Sequence, residues 1–136
     1  MANNYTQCCV LISDMTTRER EYWIETERRL ETDEEDDCPF TYSISHHGSQ
    51  VVLYMEQHGD LEILANDIQE FLKRFRPDKR IGIEWAETCS RVRPGEFGGG
   101  AVLVTAHTQY WMSTQTALEE MEHRAKKEKV DATVDT

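Results

Sequence analysis

The apolar and polar positions of this chain divide into runs of period two and runs of period three to four. Tyr5–Ile12 becomes apolar and β-branched towards its end, which predicts a strand buried on both sides near its C-terminal half. Thr16 followed by Glu19 is a capping-box spacing, and it opens a helix that runs to about Glu31. The apolar stripe of that helix is narrow, with Trp23, Thr26 and Leu30, and Tyr22 beside them, so most of its girth faces water. Phe40–Ser45 alternates, placing Phe40, Tyr42 and Ile44 inward. His46–Ser49 then reads as a turn and Gln50–Glu56 as the second arm of a hairpin. Asp60 is an N-cap for the strongest helical pattern in the chain: Leu61, Leu64, Ala65, Ile68, Phe71, Leu72 and Phe75. Lys73, Arg74 and Arg76 suit the negative end of that helix, and Pro77 stops it.

Arg80–Glu87 reads as a strand with Ile81, Ile83 and Trp85 on one face and Gly82, Glu84 and Ala86 on the other. Ala101–Ala106 is another apolar strand. The segment between them is too short for a helical crossover, so the two form an antiparallel hairpin with a long structured loop. His107–Met112 is aromatic without a clear period. Thr114 is placed to cap a last helix carrying Leu118, Met121 and Ala125 and ending in a basic turn. Residues 130–136 read as a frayed tail, leaving 1–129 as a single domain.

The resulting order, β-α-β-β-α-β-β-α, is α+β. Its first six elements follow the split pattern of ferredoxin-like domains, an antiparallel sheet with both helices on one face. An added hairpin strand extends the sheet, and the last helix caps an edge or mediates pairing. Gln7, Tyr54 and Glu84 then fall on the second face, towards water or a partner. Homodimerisation fits the edges that such a sheet leaves open.

Composition narrows the partners. The chain has 136 residues and a net charge of -11, which opposes direct binding to nucleic-acid backbones and suits a protein partner with a basic surface. Asp33, Glu34, Glu35, Asp36 and Asp37 form an acidic strip. It lacks the ligand spacing and central glycine of an EF-hand loop, and reads as a solvated loop or as a docking strip for such a partner. No run is long and apolar enough to span a bilayer, and no signal peptide opens the chain, so a cytoplasmic protein with reduced cysteines is expected. Cys8 and Cys9 point to opposite faces of a strand, no Cys-x-x-Cys pair occurs, and nothing completes a ligand set around His46 and His47; neither metal nor cofactor is implied.

Thr88–Ala106 is the most unusual chemistry in the chain. Arg91, Arg93, Pro94, Gly95, Glu96, Phe97, Gly98, Gly99 and Gly100 lie between two apolar strands. A strand follows the glycines where a Walker loop or a dinucleotide turn requires a helix, so both of those motifs fail. Two readings remain for the loop. It presents Arg91, Arg93, Glu96 and Phe97 to a partner, or its arginines and backbone N–H groups form a nucleotide or anion pocket. Thr88-Cys89-Ser90, the run Arg93–Val102 and Val104-Thr105-Ala106 resemble a stretch of small uncharacterised bacterial and phage proteins, with a looser likeness over Phe71–Asp78. The resemblance implies a small α+β domain in a phage or mobile-element setting, with no activity attached. No serine or cysteine sits in a nucleophile elbow, and no catalytic residue emerges. The expectation is a non-catalytic acidic interaction module, for instance an inhibitor of a host defence or nucleic-acid-binding complex. The alternative is a small-ligand binder at Arg91, Arg93 and the glycines.

Overall fold

The computed structural model describes residues 4–32 and 41–132. The acidic strip Asp33–Asp37, Cys38 and Phe40 lie outside the described residues. In chain order the elements are β1 (Asn4–Ile12), α1 (Thr17–Thr32), β2 (Ser43–His47), β3 (Gln50–Met55), α2 (Leu61–Phe75), β4 (Ile81–Cys89), β5 (Gly98–Val104), β6 (Gln109–Ser113) and α3 (Thr114–Ala132). The protein is α+β. Its six strands form one sheet in the order β2-β3-β1-β4-β5-β6, and every neighbouring pair is antiparallel.

One parity of β1, β3, β4 and β5 feeds the core. Val10 and Ile12 of β1, Val51, Leu53 and Met55 of β3, Ile83 of β4 and Val102 and Val104 of β5 are buried with Trp23 of α1 and Leu64, Ile68, Phe71 and Leu72 of α2. Both helices therefore cover the same face. Tyr22, Trp23, Phe71 and Phe75 make the seam between them, with ring centroids 4.9 to 5.9 Å apart. Gln7, Tyr54 and Glu84 stand on the opposite face, as their alternation predicts.

The local signals for both helix starts hold. Thr16 N–H donates to Glu19 Oε1 at 2.8 Å and Glu19 N–H to Thr16 Oγ1 at 3.2 Å, the reciprocal capping box. Asp60 Oδ1 accepts from the N–H groups of Glu62 and Ile63.

Four local expectations are corrected. Leu11 is 59% exposed, so β1 is buried on one face only, and α1 and α2 lie on that buried face. His46 and His47 belong to β2, and the turn is confined to Gly48 and Ser49, where Gly48 supplies a positive φ of 61°. The sequence predicts one added hairpin strand, but the structure has two, because Gln109–Ser113 pairs with β5. Gln109 Nε2 ties this edge strand to α2 by donating to Asn66 Oδ1 and Gln69 Oε1. The last helix is capped by Ser113, whose Oγ accepts from Thr116 N–H; the Thr114 hydroxyl instead accepts from Gly99 N–H.

Arg76 does more than complement a helix dipole. Its Nε donates to Glu19 Oε2 at 2.6 Å, and its Nη2 donates to the carbonyls of Ser13 and Asp14, locking the end of α2 to the start of α1. Asp67 plays a matching part in the middle of α2. It is buried, and its carboxylate accepts from Arg29 Nη2 and from Tyr42 Oη, each at 2.7 Å. Its backbone carbonyl accepts from Tyr22 Oη. Burial and the neighbouring Asp67 charge push the Tyr22 phenol up to about 12 and Tyr42 higher still, so both remain donors throughout the physiological range.

Burial alone pushes the Glu19 carboxyl up, but hydrogen bonds from Arg76 and Thr16 outweigh it and the net shift is downward. The folded pKa thus lies below the unfolded one. The stabilisation is complete above the ordinary glutamate range and drains away as pH falls through the depressed value. Arg76→Ala, which strands a buried carboxylate, is expected to cost about 3 kcal/mol in urea unfolding at neutral pH. Glu19→Gln should flatten the acid limb of the stability profile; an unchanged acid limb would contradict the pairing.

Candidate functional site

The segment Arg91–Phe97 is shaped by its own residues. Arg93-Pro94-Gly95-Glu96 is a β-turn with proline second and glycine third, and Gly95 has the positive φ, 78°, that such a turn demands. Glu96 N–H reaches back to the Arg93 carbonyl at 3.4 Å, and Arg93 Nη2 donates to Glu96 Oε1 at 3.0 Å. The Arg91 N–H donates to Cys89 Sγ. Phe97 is 52% exposed and Val92 is 95% exposed, so two apolar side chains project beside this ion pair.

Gly98, Gly99 and Gly100 are strand residues, not loop residues. They pair with Glu87, Ala86 and Trp85 of β4. Their bareness has a packing cause. A Cβ on Gly100 would sit 2.3 Å from the Met112 carbonyl oxygen and 2.7 Å from the Trp85 ring, and one on Gly99 would sit 2.4 Å from the Trp85 carbonyl oxygen. Gly99 also has φ 153°. The Trp85 indole lies over Gly100 and meets Trp111 of β6 with centroids 5.7 Å apart. Trp111 Nε1 donates in turn to Gln109 Oε1.

Between the loop and the adjoining end of the sheet lies a groove of about 540 Å³, lined by residues that include Tyr5, His58, Glu87, Glu96, Phe97 and Thr114. The β1–β4 register, which sets Tyr5 opposite Thr88 and Thr6 opposite Glu87, brings the chain's N-terminal strand to this place. Of the residues singled out from sequence, Gly95, Glu96, Phe97 and Gly98 line the groove, Arg91 and Arg93 do not, and Gly99 is buried in β5. Sequence reading missed Tyr5, His58, Glu87 and Thr114. The signal available for Glu87 was its position at the loop end of a predicted strand.

The geometry lends little to an anion pocket. Arg93 already carries the Glu96 carboxylate, the Gly99 N–H is taken by Thr114 Oγ1 at 3.2 Å, and Glu87 adds a further carboxylate to the groove wall that repels an anion. Burial pushes the Cys8 thiol up, and Cys8 and Cys9 point to opposite faces of β1, opposite Met55 and Tyr54. Among the described residues, no three of His, Cys, Asp and Glu converge on a common point, and no helix is long and apolar enough to cross a membrane. Comparison with protein-family models, with curated proteins and with solved structures finds no match.

Adding one methyl group at Gly100 is expected to destabilise the fold by about 1–3 kcal/mol, the usual cost of overpacking. Gly82→Ala, where the new Cβ meets nothing within 4 Å, is expected to stay within about 0.5 kcal/mol of wild type. Urea unfolding of the two variants checks this, and equal costs would refute the role given to the Trp85–Gly100 contact.

Proposed function

We propose that this protein is a non-catalytic interaction module that docks on a basic protein surface through the Arg91–Gly98 segment and the groove beside it. The reading is carried by one arrangement: an exposed phenylalanine, Phe97, at the rim of a groove whose wall holds Glu87 and Glu96. An aromatic anchor gives a partner apolar contact area, and the carboxylates select a lysine or arginine next to it. The net charge of -11 adds long-range attraction for such a partner. The type of turn at Pro94-Gly95 and the Arg93–Glu96 pair hold the segment in shape beforehand, which lowers the ordering cost of binding.

Three finer readings go with this proposal. The first six elements are assigned to the ferredoxin-like arrangement, supported by the order β2-β3-β1-β4 with α1 and α2 on one face. The setting is cytoplasmic, in a phage or mobile element, supported by the resemblance of the Arg93–Val102 run. The concrete form is an inhibitor that occupies the nucleic-acid-binding surface of a host defence complex, supported by the acidic charge. The acidic strip Asp33–Asp37 would reinforce the same attraction.

The test is affinity capture from a bacterial lysate with the wild-type chain, Phe97→Ala and Glu87→Lys. The expected result is a stoichiometric partner whose binding weakens at least about tenfold in each variant and falls with added salt. A partner indifferent to both substitutions and to salt, or no stoichiometric partner, would overturn the proposal.

A further inference from the structure

The last helix presents a second surface, independent of the loop. α3 spans 19 residues, about 28 Å, and its first turn is tied to the domain by the Gly99 N–H donating to the Thr114 hydroxyl. Leu118 is 65% exposed and Met121 58% exposed. With Ala117 and Ala125 they form an apolar stripe at three- and four-residue spacing that nothing in the chain covers among the described residues. β6, which leads into α3, is an edge strand and exposes Tyr110, Trp111 and Met112.

The geometry points to a second copy of this chain as the occupant of the α3 stripe, with the two helices antiparallel. The charge pattern supplies the argument. Glu119, Glu120 and Glu122 precede His123, while Arg124, Lys126, Lys127 and Lys129 follow it and outnumber Glu128 and Asp131. A helix with an acidic first half and a net basic second half is complementary to itself when reversed, and the reversal also opposes the two helix dipoles. Glu120 and Lys127 are two turns apart and so lie on the same side of the stripe. In an antiparallel pair centred near His123, each Glu120 meets Lys127 of the other copy and each Met121 meets Ala125. Between Thr114 and Glu128 the acids exceed the bases by one only, four against three, in a chain whose net charge is -11. This is the part of the molecule where two copies approach without the repulsion that the rest imposes, and it is a poor match for the basic partner suited to the loop. The two-fold symmetry of such a contact is that of the commonest protein dimers.

Sedimentation velocity of the full chain at low salt tests the assignment. The wild type is expected to dimerise, and Met121→Glu, at an exposed position, to be monomeric with unchanged circular dichroism. Glu120→Lys and Lys127→Glu are each expected to weaken self-association by roughly tenfold or more. An equimolar mixture of the two is expected to regain dimers, because every cross-copy pair is again of opposite sign. A monomeric wild type, a dimer insensitive to these changes, or a mixture that associates no better than its components would overturn it. None of these outcomes depends on Phe97 or Glu87, so failure here leaves the loop proposal standing, and the reverse.

Discussion

The contact on which the candidate site depends is the passage of the Trp85 side chain over Gly100. A tryptophan on β4 needs an apolar floor, and the bare backbone of β5 supplies one because position 100, its cross-strand partner, lacks a Cβ. The indole spans β5 to reach Trp111 on β6, so one side chain fastens three strands. With the β4–β5 register fixed in this way, the ends of the intervening segment are fixed too, and the turn at Pro94-Gly95 sets the rest. Phe97 and the carboxylates of Glu87 and Glu96 therefore reach the groove as a consequence of packing beneath them.

A second constraint holds the helical layer. Asp67 of α2 and Arg76 at its C-terminal cap bridge to other elements: Arg76 to Glu19, Ser13 and Asp14, Asp67 to Arg29 and to Tyr42 just before β2. The buried carboxylates of Glu19 and Asp67 are tolerated because each is met by a guanidinium and by a further donor. These pairs fix the relative placement of α1 and α2 over the sheet, leaving the opposite sheet face with Gln7, Tyr54, Glu84 and Leu11 uncovered by either helix.

What was legible in the sequence was local. The α2 pattern, its Asp60 cap, the Thr16–Glu19 capping box and the alternation of Ile81, Ile83 and Trp85 each involve residues within one or two turns, and each holds in the structure. Glycines 98–100 read as loop because a residue without a side chain leaves no mark in a hydrophobic period; their strand pairing is set by Trp85, more than ten residues earlier. β6 was hidden because it lies beyond the part of the sheet that the core covers, so Tyr110, Trp111 and Met112 are all exposed and do not alternate. The roles of Arg76 and Asp67 depend on partners far away in sequence. The groove itself joins β1, β4 and the start of α3, elements whose meeting only the topology reveals.

The proposed docking of a basic partner on the Arg91–Gly98 segment and its groove is open to hydrogen exchange of the chain with and without its captured partner. New protection is expected across residues 90–98 and the adjoining end of β4, with the β1–β3 core unchanged. Protection confined to α3 or to the β2–β3 hairpin, with the loop exchanging as freely as before, would contradict it.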